Sequence, residues 1–123
     1  MGIAKVLLVD DHAMILDGLE AILNSSVKYN VIGRALNGDE AIRFVKKIEP
    51  HIILMDIEMP IKNGIEATRE IKIKYPKVKI LAITMYNDGA FVKEMLDAGA
   101  DGYILKNSGR DELLIAIENG VGC

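Results

Sequence analysis

Ile52-Ile53-Leu54-Met55-Asp56-Ile57-Glu58-Met59-Pro60 decides how this chain folds. Four apolar residues run without alternation into one aspartate, and a proline follows four residues on. A strand with one wet face alternates polar and apolar side chains. An unbroken run signals a strand covered on both faces, the usual state inside a parallel sheet. Asp56 then stands at the strand's carboxyl end, the edge where open α/β sheets hold their ligands. Alone, an aspartate there serves equally well as a turn residue. The flanking segments separate the two readings.

Upstream, Ala4-Lys5-Val6-Leu7-Leu8-Val9 is a second unalternating strand, ended by Asp10-Asp11. Residues 12–24 carry Ile15, Leu19, Ile22 and Leu23 at helical spacing. Residues 29–35 form a more polar strand with a glycine, which suits a sheet edge. Asn37-Gly38 turns the chain, and Ala41, Ile42, Val45 and Ile48 mark a helix that stops before Pro50. Downstream, Asn63-Gly64 leads into a helix over about 65–75, ended by Pro76. Residues 78–83 are a strand followed by Thr84. Phe91, Val92, Met95, Leu96 and Ala98 mark the next helix, with Gly99 as its C′ residue. Residues 102–105 are a short strand followed by Lys106. Ser108 is the expected N-cap of a last helix that carries Asp111 and Glu112 in its first turn. Five strands alternating with five helices predict a parallel α/β sheet with helices on both faces.

The 123 residues suit one domain, with enough chain to bury a core without staples. No apolar run approaches the ~18 residues that span a bilayer, and no signal-peptide pattern opens the chain. Both point to a cytoplasmic protein that does not meet a membrane. Cys123 has no partner for an internal disulfide. A net charge of −3 gives no reason to expect phosphate-backbone binding of nucleic acid by these residues. His12 and His51 have no companion at metal-ligand spacing and read as partly exposed. Met14, Met55, Met59, Met85 and Met95 read as packing residues.

The informative fact is positional. Asp10 and Asp11 follow the first strand, Asp56 ends the third, Thr84 follows the fourth and Lys106 the fifth. With strand order 2-1-3-4-5 these ends share one edge, and the aspartates meet at the topological switch point. Two carboxylates ~4 Å apart repel by about 4 kcal/mol at an effective dielectric of ~20. Either a pKa rises or a cation binds. An all-oxygen cluster suits a hard divalent ion such as Mg²⁺, held by one or two carboxylates with waters retained. A carboxylate beside it can attack phosphorus, with a lysine and a hydroxyl placed for the transferred group's oxygens. Singly, Asp11 could cap the first helix, Asp10 could be a solvated strand-end residue, Thr84 a turn residue and Lys106 a surface charge.

These segments resemble a response-regulator receiver domain. The likeness is carried by Val9-Asp10-Asp11-His12, Leu54 to Pro60, Asn63-Gly64, Ile83-Thr84 and Gly102 to Lys106. Asp11-His12, Asp17-Gly18-Leu19, Gly64 to Thr68 and Thr84-Met85-Tyr86 are most similar to the NarL/FixJ subfamily. The resemblance implies a flavodoxin-like (βα)5 three-layer sandwich, with residues 1–123 forming one receiver domain and no output domain among them. It implies that Asp56 accepts phosphate from a sensor histidine kinase, a signalling role and not that of an enzyme. It implies Mg²⁺, or Mn²⁺ in its place, on Asp11, Asp56 and the Glu58 backbone carbonyl, with Asp10 acting through a water. Thr84 and Lys106 would contact the phosphoryl group, and Tyr103 would change rotamer with Thr84. Glu58 and Tyr86 would border the path of a hydrolytic water. DNA would be reached only through an output domain. Asn107 stands where the family often has proline, so no cis peptide is assumed there.

Leu113, Ala116 and Ile117 fall on one face of the last helix. Ile115 and Leu114 are left as a candidate partner surface, for a second receiver or for an output domain. Two rival readings remain: a Mg²⁺-dependent phosphatase, which would want Asp-x-Asp and a cap, and a flavin or nucleotide module, which would want a Gly-rich loop after the first strand.

Overall fold

The computed structural model describes residues 3–84 and 89–121, with side chains to residue 119; Met85, Tyr86 and Cys123 lie outside it. The elements alternate along the chain as β1 (Ala4–Val9), α1 (Ala13–Asn24), β2 (Tyr29–Ala35), α2 (Gly38–Lys47), β3 (Ile52–Asp56), α3 (Gly64–Lys74), β4 (Lys79–Thr84), α4 (Gly89–Asp97), β5 (Gly102–Leu105) and α5 (Arg110–Val121). All the strand pairings are parallel, in the order β2-β1-β3-β4-β5. This is the flavodoxin-like arrangement expected from the sequence. The polar, glycine-bearing β2 is at the edge, and all five residues of β3 are buried at the centre.

The unalternating runs are explained by two cores, one on each side of the sheet. Leu7, Val9, Ile53, Met55, Ile80 and Ala82 face α2, α3 and α4. Val6, Leu8, Ile52, Leu54, Leu81 and Ile83 face α1 and α5. Successive strand residues point to opposite faces, so a strand covered twice must be apolar throughout. Each such side chain contributes roughly 1.5–3 kcal/mol on burial.

Helix ends follow local chemistry. Asn63 and Glu66 form a capping box at α3, with Glu66 N–H donating to Asn63 Oδ1 at 2.9 Å. Gly99, at φ 115°, ends α4 in a Schellman turn: its N–H donates to Leu96 O and that of Ala100 to Met95 O, both at 3.0 Å. The last helix departs from expectation. Leu113 N–H donates to Gly109 O, so Gly109 is the residue before α5, while Ser108 N–H turns back to Leu105 O. The described chain has no cis peptide, and Lys106–Asn107 is trans. Met14 is also corrected. It is 86% exposed, because α1 turns Leu16, Leu19 and Leu23 inward; Met55 and Met95 are fully buried and Met59 packs against the core.

At the amino end of the sheet, Lys72 ties three segments together. Its Nζ donates to Pro76 O at 3.2 Å and Val78 O at 2.9 Å, and lies 3.2 Å from Asp101 Oδ2. That carboxylate also accepts from Ile80 N–H at 2.9 Å.

At the other end, the β3–α3 loop makes a three-residue turn. Lys62 N–H donates to Pro60 O at 2.8 Å, and Ile61 between them stands at φ 70°. This is a γ-turn of the rarer, strained hand, and a β-branched residue there is a genuine outlier. Ile61 is exposed and loses little packing on removal. Ile61→Gly is therefore expected to raise stability by about 0.5–1 kcal/mol, relief of strain exceeding glycine's added chain entropy. A urea midpoint that falls would contradict this.

Candidate functional site

Because β1, β3, β4 and β5 are parallel neighbours, their carboxyl ends lie level, with Asp56 opposite Ile83 and Thr84 opposite Leu105. The structure therefore brings Asp10, Asp11, Asp56, Thr84 and Lys106 to one edge. Lys106 Nζ lies 2.8 Å from Asp10 Oδ2 and 3.1 Å from Asp56 Oδ1. Ile57 N–H donates to the same Asp56 oxygen at 2.9 Å. A cleft of about 170 Å³ opens beside them, lined by His12, Asp56, Ile57, Glu58, Thr84, Phe91 and Lys106. Tyr103 is half exposed, one residue before Ile104 and opposite Ala82 in register, on the same sheet face as Thr84.

Asp11 does not cap α1. The residue in the N-cap position is His12, and its side chain makes no capping bond. The Asp11 carboxylate is instead 3.2 Å from the His12 ring. That ring is what the sequence reading missed: Nδ1 also lies 3.0 Å from Asp10 Oδ1. Immediate adjacency to two aspartates was the available signal. Phe91, on the wall of the cleft, carried none beyond its place in a helical stripe. Tyr86 lies outside the described residues.

Charge at this edge is unbalanced. Asp10 and Asp56 are both buried, and Lys106 is one cation among three carboxylates. Burial pushes the Asp56 carboxyl up to about 6; the Asp10 charge adds to the rise, while Lys106 and the Ile57 N–H oppose it. Burial lowers the Lys106 pKa, but Asp10 and Asp56 more than offset it, and the ammonium titrates above its ordinary value. Both groups hold their protons more tightly than usual, Asp56 chiefly because it is buried and Lys106 because two carboxylates surround it. Asp10 Oδ2 is fully buried, and Lys106 approaches it without a well-directed hydrogen bond. One ligand atom each from Asp10, Asp11, His12 and Asp56 lies within 4.8 Å of the others. Oxygen-rich, under-neutralised and partly dry, the donor set fits a hard divalent cation.

The raised Asp56 pKa has a signed consequence for stability. The folded carboxyl titrates near 6 against 3.8 for the free group, so its contribution is fully present below about pH 4 and lost as pH rises through 6. Asp56→Asn removes that loss. Without metal, the variant should be more stable than the parent at neutral pH by on the order of 1–3 kcal/mol. Near pH 4 the difference should vanish. Urea melts in a chelator at the two pH values check it, and an equal gain at both would mean that charge is not the cause.

Comparison with known proteins accords with this geometry. The sequence pattern of the response regulator receiver domain matches residues 6–118. The transcriptional regulatory protein LnrK of Bacillus subtilis (strain 168) is 40% identical over 113 residues, covering 92% of this chain and 51% of its own length. The chain thus spans about half the length of the curated relatives it matches. Among solved structures, a LuxR-family two-component response regulator from Aurantimonas sp. SI85-9A1 superposes with a TM-score of 0.91 at 36% identity, over 98% of this chain and 86% of that one. CheY in the CheX-CheY-BeF3-Mg²⁺ complex of Borrelia burgdorferi superposes at 0.88 and 29% identity, over 96% and 90%.

Proposed function

Because the chain belongs to the response-regulator receiver family, we propose that Asp56 accepts a phosphoryl group from the phosphohistidine of a sensor kinase in the cytoplasm. The single observation that carries this is Asp56 at the end of β3, on the cleft, with Lys106 Nζ at 3.1 Å. Both named partners of its carboxylate sit on Oδ1, so Oδ2 is the oxygen left to attack. As the Oδ2–P bond forms, the P–N bond breaks and the imidazole leaves with the bonding pair. Lys106 and the Thr84 hydroxyl then meet the phosphoryl oxygens, where transition-state charge spreads. Asp11, Asp56 and the Glu58 carbonyl would hold Mg²⁺ or Mn²⁺, with Asp10 acting through water; the cation neutralises phosphoryl charge. CheY in the Borrelia complex, similar in fold, is recorded with BeF3 and Mg²⁺. Glu58 and Tyr86 border the approach of a water that would later release the phosphate. The receiver's output is transcription, through a DNA-binding domain outside residues 1–123, as the names of its relatives suggest.

The test is to incubate the protein with acetyl phosphate and Mg²⁺ and weigh it intact. One labile phosphoryl adduct is expected, and none when the metal is chelated before acetyl phosphate is added. Steady hydrolysis of assorted phosphoesters without an adduct would favour a phosphatase and sink the reading.

Phosphorylation is read out through Thr84 and Tyr103. Drawn towards the new phosphoryl group, Thr84 leaves room for the Tyr103 ring to turn inward. The coupling is about 1–3 kcal/mol. One surface able to answer is on α5. Ile115 is 57% exposed while Leu113 and Ile117 are buried, whereas Leu114 is half buried against the α1 side and contributes only its edge. Light scattering across concentration should show phosphorylated wild type associating, Thr84→Ala phosphorylated but unresponsive, and Ile115→Glu monomeric. A wild type monomeric in both states removes the homodimer; an unchanged response in Thr84→Ala removes the switch.

A further inference from the structure

His12 reads in sequence as a side chain without a ligand partner, yet the fold supplies two. Its backbone N–H donates to Asp10 Oδ1 at 2.9 Å, and the extended backbone at His12 (φ −109°, ψ 112°) folds the ring back over the aspartate pair. Nδ1 ends 3.0 Å from Asp10 Oδ1 and 3.2 Å from Asp11 Oδ1. We propose that His12 Nδ1 is a further protein ligand of the divalent-cation site, and that it biases this receiver towards Mn²⁺ and other first-row ions over Mg²⁺. The proposal rests on the reading of the carboxylate cluster as a cation site.

Ligands ~2.1 Å from an octahedral ion stand about 3.0 Å apart on adjacent vertices. The His12 nitrogen lies close to that separation, at 3.2 Å, from Asp11 Oδ1, the aspartate of the pair that would bind the ion directly. With that nitrogen, Asp10, Asp11 and Asp56 bring four donor atoms within 4.8 Å of one another. Their distances also suit hydrogen bonds from Nδ1–H, so the question is what the nitrogen does when a cation enters. The ring can respond without cost to the core. Its side chain is 65% exposed, and the N–H can pass to Nε2 by exchange of tautomer, leaving the Nδ1 lone pair for the ion.

Chemistry then sets the preference. Mg²⁺ is bound through oxygen and gives up water reluctantly. Imidazole is a good ligand for the first-row transition ions, whose affinities for nitrogen rise along the series from Mn²⁺. Two carboxylates and an imidazole make a donor set typical of such ions. An all-oxygen pocket would discriminate little in their favour.

Calorimetric titration of Mg²⁺ and Mn²⁺ into wild type, His12→Ala and His12→Phe tests the proposal; the phenylalanine keeps the ring's bulk without its nitrogen. Mn²⁺ affinity should fall by at least about tenfold in both variants, the lower end of what even an outer-shell partner is worth. Mg²⁺ affinity should be nearly unmoved. With diamagnetic Zn²⁺, the ¹⁵N spectrum of the His12 ring should show Nδ1 as the metal-bound nitrogen and Nε2 carrying the proton. A Mn²⁺-to-Mg²⁺ affinity ratio unchanged by both substitutions overturns the role of His12 and leaves the cation site standing. If neither ion binds wild type, the cation site itself falls, and this proposal with it.

Discussion

Asp56→Asn is expected to take up no phosphoryl group from acetyl phosphate or from a phosphorylated kinase. The amide keeps the shape of the carboxylate and the Oδ1 contact with Ile57 N–H, so the fold survives. What is lost is the nucleophile. An amide oxygen has no full negative charge, and the adduct it would form expels the phosphoryl group again. The rate should drop by on the order of 10⁴-fold or more, as with other covalent nucleophiles. Intact mass before and after incubation reads it directly. Asp11 is the acceptor to watch, because its carboxylate belongs to the same cluster and is partly exposed. A full adduct on the variant, mapped to Asp11 or elsewhere, would show that Asp56 is not the acceptor in this chain. Lys106→Met should slow labelling without abolishing it, since the lysine stabilises charge and does not form the bond.

The second large effect is steric. A Cβ on Gly64 would lie 2.0 Å from the carbonyl oxygen of Asp56, 3.0 Å from its carbonyl carbon and 3.1 Å from Ile57 Cα. All three are backbone atoms and none can rotate aside. The Gly64 N–H also donates to Ile57 O at 2.8 Å, holding the start of α3 against the exit of β3. Gly64→Ala must break that contact or push Asp56 off its position. Overpacking of this kind costs typically 1–3 kcal/mol and occasionally more, and backbone against backbone belongs at the upper end. A reacting group displaced by ~1 Å can cost about 10²-fold in rate. Both the urea midpoint and the rate of labelling by acetyl phosphate should therefore fall. Gly18 is the control. It lies in α1 with nothing within 4 Å of its notional Cβ, so Gly18→Ala should stabilise by about 1 kcal/mol. If the two alanines behave alike, the close approach at Gly64 is not real.

Much of this was legible in the residues because the strongest signals were unbroken. β1, β3 and β4 are apolar on both faces, and proline or glycine punctuates the turns around them. Once the sheet is parallel, Asp10, Asp56, Thr84 and Lys106 have nowhere to be but one edge. What escaped depends on angles that composition does not encode. Met14, Ile15 and Leu16 are consecutive apolar residues, so periodicity left the phase of α1 open, and the backbone at His12 set it. Met14 went to solvent and Leu16, unremarked in the pattern, went to the core. The same dihedrals aimed the His12 ring at the aspartates. Ser108 is a good capping residue, but the helix starts one residue later, with Gly109 O accepting from Leu113 N–H. Leu114 beside Ile115 looked equally outward, but the packing of α5 next to α1 half covers it.

The knot at Lys72 has a consequence for how the domain moves. It lies at the amino end of the sheet, across the molecule from the carboxylates, and joins the end of α3, the entry to β4 and the loop before β5 through one ammonium and one carboxylate. Amide protons around it must wait for a large opening before they exchange with solvent. At the opposite edge the tie is the Lys106 ammonium, 2.8 Å from Asp10 and 3.1 Å from Asp56, so what holds that edge depends on the charges of the site itself. β4 and β5 are thus anchored at their beginnings by contacts remote from the site, while their ends, joined by Lys106 N–H to Thr84 O at 2.7 Å, are held through ion pairs that include Asp56. A change of charge at Asp56 would swing those ends against a fixed base and leave the rest of the domain folded.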